Sequence, residues 1–179
     1  MQAAWPWPAP EDDGAAAHLI AGTRLPSIAL PSSAGVAIDM SRIEGRAVVF
    51  VYPFTGTPGD PNPPGWDDIA GAHGSTPEAQ GFRDLMAMFA MKAVKVFGLS
   101  AQAGVDQQAF ARRESLTFPL LSDCDLRFAD ALRLPRFTTG GAIYLKRLTL
   151  IAQDGAIARC IYPVHPPHTH AEQVLKALQ

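Results

Sequence analysis

Cysteine, long apolar runs and an excess of either charge are all scarce in this chain, and each scarcity excludes something. Two cysteines in 179 residues cannot make a disulfide framework, the device that small secreted domains use in place of a large core. The apolar stretches, of which "AVVFVY" (47–52) is typical, are far too short to cross a bilayer. Fifteen basic residues against seventeen acidic ones give a net charge of −2, so there is no basic stripe for nucleic acid and no charged tail. The opening "MQAAWPWPAPEDDG" has neither a basic n-region nor an apolar h-region, so no export signal is expected and the default setting is a reduced cytoplasm. No internal repeat is visible. With 47% apolar residues the chain reads as one globular domain over 23–179, preceded by a flexible, proline-rich leader over 1–22.

What is present alternates between short apolar runs and helical patterns. "RAVVFVYP" (46–53) and "VKVFGLS" (94–100) read as strands buried on both faces. Between them lies a proline- and glycine-rich loop over 53–74, followed by "STPEAQGFRDLMAMFAMKA" (75–93), with Phe82, Leu85, Met86 and Phe89 at helical spacing. Further helices are expected over 104–115, 125–133 and 171–179. "AIYLKRLTLIA" (142–152) and "AIARCIYPV" (156–164) flank "QDG", a hairpin turn in which glycine supplies a positive φ. Helical crossovers give parallel strands and the late hairpin adds an antiparallel pair, so the sheet should be mixed. With helices on both faces, the expected fold is α/β: a three-layer sandwich of the thioredoxin-like kind.

The chemistry-bearing residues admit ordinary readings as well as functional ones. "STPE" (75–78) has the form of a capping box, with Ser75 at the cap, proline in the first turn and Glu78 three residues on. His73 stands two residues from Ser75, but there is no G-x-S-x-G elbow, and a Ser-His-Asp hydrolase is not indicated. Cys124 follows an aspartate at an expected helix start, which marks it as a redox candidate; the alternative is a small buried filler. Cys160 lies on a strand, with burial set by the strand's facing. "HPPHTH" (165–170) offers three histidines without a legible fourth ligand, and no metal or cofactor is expected. Trp66, among the loop prolines, suits a lid or an interface patch.

Several segments, taken in order, resemble the peroxiredoxin family, in particular its PrxQ-like, bacterioferritin-comigratory branch. They are "YP" closing the first strand, "TGTPG" (55–59), "STPEAQGFRD" (75–84), "FPLLSD" (118–123), "LPRF" (134–137) and "KRLTLIAQDGAI" (146–157). The resemblance covers residues 22–178. It implies reduction of hydrogen peroxide or alkyl hydroperoxides at a peroxidatic cysteine on the first turn of the helix, with electrons from a thiol such as that of thioredoxin. It also implies a monomer or homodimer, and a site formed by Pro53, Thr57, Arg147 and the residue at position 75. That residue is Ser75, and Gln80 stands where the branch usually has its resolving cysteine. Segment 60–73 is inserted, so Thr57 is no longer three residues before the active position. A serine hydroxyl stays protonated where a thiol becomes a thiolate, and it is not oxidised to a sulfenic acid. The implied peroxidase step is therefore expected to be absent. Whether Ser75 is a natural or an engineered residue stays open. So does the alternative of a non-enzymatic binding or interaction module on this scaffold.

Overall fold

The computed structural model describes residues 4–179. After a two-stranded ribbon, β1 (Ala29–Pro31) and β2 (Ala37–Asp39), comes β3 (Arg46–Val51). It is followed by α1 (Ser75–Asp84), α2 (Met86–Met91), β4 (Val94–Ser100), α3 (Gly104–Arg113), β5 (Leu120–Ser122) and α4 (Arg127–Leu132). A hairpin, β6 (Arg136–Thr139) and β7 (Ala142–Leu145), leads into β8 (Leu148–Gln153), β9 (Ala156–Ile161) and α5 (His170–Ala177).

The central sheet runs β5-β4-β3-β8-β9. β3 pairs in parallel with β4, and β4 with β5, while β3–β8 and β8–β9 are antiparallel. This is the mixed sheet that the crossovers and the late hairpin require. Asp154 and Gly155, both at positive φ, make the β8–β9 turn. Alternation along β3 sends Val49 and Val51 into one apolar layer with Leu121, Phe128 and Leu150. It sends Val48 and Phe50 into the other, with Phe82, Phe89, Phe110 and Val174. α4 covers the first face, and α1, α3 and α5 the second, which completes a thioredoxin-like three-layer sandwich.

Three expectations are corrected. The single helix over 75–93 breaks at Leu85 (φ −102, ψ 8) into α1 and α2. The single strand over 142–152 breaks at Lys146–Arg147, with β7 leaving to form its own hairpin and β8 joining the main sheet. Residues 4–22, expected as a flexible leader, lie packed on the body: Ala16 and Leu19 are buried in the first apolar layer, and His18 Nε2 lies 2.8 Å from Leu132 O. Proline richness suggests a loose segment, but apolar side chains with a face to cover are buried when geometry allows. Residues 1–3 of that leader fall outside the described residues.

Candidate functional site

Gly74 caps α1 from the left-handed region, at φ 112. A side chain there has no room: a Cβ would fall 2.2 Å from Pro167 Cγ and 2.9 Å from Trp5 Cζ2. This bend makes Ser75 the first helical residue, 4% exposed, on the floor of a depression of about 260 Å³. The cap is Gly74, which has no side chain to offer, and Ser75 stands one position inside the helix, so the capping-box reading is corrected. Glu78, which would have closed that box, is turned to Arg147 instead.

Arg147 reaches the site from the break between β7 and β8. Its Nη1 donates to Glu78 Oε2. Its Nη2 lies 3.1 Å from Ser75 Oγ, and 3.4, 3.3 and 3.2 Å from the carbonyls of Gly71, Ala72 and His73. The guanidinium is therefore shared between α1 and the chain entering it. Both charged groups are sealed, with side-chain exposures of 2% for Arg147 and 0% for Glu78. Burial pushes the Glu78 carboxyl up to about 7 against the pull of the Arg147 charge. Among the described residues, Glu78 Oε1 and Arg147 Nε have no partner.

The depression around Ser75 is lined by Trp5, Trp7, Phe54 and Trp66, and by Thr55, Asn62 and His73. Of the expected site residues, Ser75 and Arg147 meet, and Pro53 is buried at the end of β3 without reaching the lining. Thr57 does not join them: it is exposed and borders a neighbouring hollow with Asp106 and Arg113. The threonine at the depression is Thr55, whose N–H and hydroxyl both donate to Gln102 Oε1, at 2.9 and 3.1 Å. Gln102 returns a bond from Nε2 to Thr55 O. No sequence signal marked that pair, because it joins positions 47 residues apart.

Segment 60–73 is fixed to the β6–β7 hairpin. Trp66, 4% exposed, sits among Phe54, Phe137 and Tyr144 with ring centroids 5.0–5.6 Å away. Thr139 Oγ1 donates to Pro64 O. Trp66 is therefore interior, not a lid or an exposed patch. His73 Nε2 lies 2.8 Å from Asp67 Oδ1, and its ring is stacked under Trp7.

The remaining candidates lie elsewhere. Cys124 is exposed and does not line the depression. Cys160 is half-buried on β9, and burial pushes its thiol up to about 11. Gln80 Nε2 donates to Glu114 Oε2 at 2.9 Å. The histidines of "HPPHTH" diverge: His165 is exposed, His168 stacks on Trp5, and His170 is buried against Thr149 Oγ1 at 2.7 Å. Among the described residues no group of three or more His, Cys, Asp or Glu is arranged to hold a metal ion, and no helix is long and apolar enough to cross a membrane.

The redoxin family matches residues 20–178. A putative peroxiredoxin bcp of Coxiella burnetii is 30% identical over 165 residues, covering 88% of this chain and 97% of the relative. The chloroplastic peroxiredoxin Q of Sedum lineare is 26% identical over 165 residues, 91% of this chain and 80% of the relative. Among solved structures, peroxidoxin BcpB of Mycobacterium tuberculosis superposes with a TM-score of 0.72 at 27% identity, over 90% of this chain and 97% of that one. A cysteine-to-serine mutant of PrxQ from Xylella fastidiosa superposes with a TM-score of 0.71 at 25% identity, over 89% and 94%.

Proposed function

Because the chain belongs to the redoxin family, and within it to the peroxiredoxins of the PrxQ/BCP kind, we propose that Ser75 occupies their peroxidatic position and leaves that centre without thiol peroxidase turnover. The observation that carries this reading is the contact of Ser75 Oγ with Arg147 Nη2 at 3.1 Å, on the first turn of α1 and at the floor of a depression. A thiol in that place would have its anion favoured by the helix N-terminus and the guanidinium. The thiolate sulfur would attack one peroxide oxygen, the O–O bond would break, and water or an alcohol would leave after protonation, with the sulfur oxidised to a sulfenic acid. A reducing thiol would then restore it. An alcohol has no accessible anion near neutral pH and no corresponding oxidised state, so the cycle cannot begin at Ser75.

The test mixes the protein with hydrogen peroxide in a stopped-flow instrument and locates oxidised residues by mass spectrometry. The serine protein is expected to show no oxidation at position 75, and Ser75→Cys to gain a sulfenic acid there. Turnover by the serine protein would overturn the reading. A folded Ser75→Cys variant indifferent to peroxide would overturn the assignment of position 75. Oxidation confined to Cys124 would move the centre to that exposed thiol.

A second reading is favoured by one observation, the four aromatic side chains around so small a depression. On this reading the scaffold is a binding module and the depression holds a ligand without converting it. Calorimetric binding of benzoate by the serine protein, lost on filling the depression with Thr55→Trp, is the expected outcome; no binding would leave the first reading alone.

A further inference from the structure

The family match begins at residue 20, yet the walls of the Ser75 depression include two side chains that precede it, Trp5 and Trp7. Both are held by specific contacts. The Trp7 ring stacks on His73 with centroids 3.7 Å apart and planes 9° apart. The Trp5 ring stacks on His168 at 5.2 Å and lies against Gly74, the residue that caps α1. Between them and the body, Gly71 N–H donates to Pro8 O at 3.2 Å. Asp13 then receives Lys146 Nζ and Tyr162 OH, each at 2.7 Å. Residues 5–13 thus form a strap, stapled along its length, whose Trp5–Trp7 end walls the site.

The wall on which Trp7 stacks is itself held in place. His73 is tied to Asp67, and the segment carrying both is anchored by Trp66 in its aromatic cluster. Below, Ser75 is 4% exposed. A depression of about 260 Å³ has the volume of fewer than ten waters, each taking about 30 Å³ in the liquid.

We propose that Trp5 and Trp7 are specificity-determining residues of this site, and that they act by size. A low-molecular-weight ligand passes between the indoles to position 75, whereas a side chain on the surface of a macromolecular partner is stopped at the strap. The inference rests on position 75 being the floor of the functional site, as proposed above. It assigns that floor to small molecules, and so argues against a partner protein docking directly onto residue 75. The strap's outer tie is weak enough to be displaced, because exposed ion pairs such as Asp13–Lys146 add little. Its hold on the body comes instead from the ring stacks and from Ala16 and Leu19 in the apolar layer.

Access to position 75 is measurable without any peroxide chemistry. In a Ser75→Cys protein that also carries Cys160→Ser, thiol alkylation is followed with N-ethylmaleimide and with a maleimide carried on a long polyethylene glycol. Taking the ratio of the two rates at one thiol removes the effect of that thiol's pKa. Exposed Cys124 serves as internal reference. The ratio at position 75 is expected to exceed that at Cys124 by at least about tenfold, because the small reagent passes the closed strap whereas the polymer must wait for a local opening. Adding Trp5→Ala and Trp7→Ala should bring it to the Cys124 value. Equal ratios at the two positions in the strap-intact protein would overturn the proposal, without recourse to the tryptophan variants. A raised ratio that persists in the folded double-alanine variant would overturn it too, by assigning the barrier to other residues. The proposed function fails by a different result, peroxide indifference of the same Ser75→Cys protein.

Discussion

At the scale of residues, Arg147 does two jobs with one planar group. Nη1 neutralises Glu78 on α1, while Nη2 gathers the carbonyls of 71–73 and the Ser75 hydroxyl. Above pH 7, where Glu78 is ionised, Arg147→Met would leave a buried charge uncompensated, at a cost of about 3–5 kcal/mol. Glu78→Gln combined with Arg147→Met should cost less than the two single changes added together, because the pair is coupled. Urea denaturation of the four proteins checks both statements, and additivity within experimental error would deny the coupling. Arg147 was legible in the sequence through its segment, but its direction was not. On an unbroken strand over 142–152 its face would follow strand parity, whereas the break after Leu145 frees it from the pleat. Thr57 misled for a related reason. Its spacing from Pro53 follows the local motif, but segment 60–73 carries the chain away before α1 begins, and Thr55 takes the inner position.

At the scale of elements, the start of α1 depends on Gly74. Gly74→Ala must hold a side chain at φ 112 and push it into Pro167 and Trp5. A loss of about 1–3 kcal/mol is expected from strain alone, with intrinsic tryptophan fluorescence changing as Trp5 is displaced. Trp66→Ala should cost about 3–5 kcal/mol, as expected for removing a large buried aromatic side chain. It should also raise hydrogen exchange across 60–73 while leaving the main sheet protected. Uniform exchange over both regions would contradict that local role. The sheet itself was readable, since continuous apolar runs mark β3, β4 and β8, and "DG" marks the β8–β9 turn. The break at Leu85 and the β6–β7 hairpin were not. The hairpin is decided by tertiary partners: its Phe137 and Tyr144 pack on Trp66, far off in sequence.

At the scale of the whole molecule, two buried titratable groups set opposing slopes of stability with pH. Burial pulls His170 down to about 4 from its ordinary 6.5, so its contribution is complete above pH 6.5 and is lost as pH falls toward 4. Glu78, raised from 4.5 to about 7, favours the protonated fold. Its contribution is complete below pH 4.5 and is lost as pH rises to 7. Between 4.5 and 6.5 the two offset. Glu78→Gln should therefore leave stability climbing with pH across that window, and His170→Gln should leave it falling. Denaturation midpoints measured from pH 4 to 7.5 test the signs, and parallel profiles would refute them. The strap has a consequence in time as well as in space. Trp7 stacks on His73, made 66 residues after it, but Trp5 seats on His168, made 163 residues after it. During synthesis the strap can therefore seat at Trp7 well before it can seat at Trp5. Full closure over residue 75 waits until every strand of the central sheet has been made, so it follows the folding of the body.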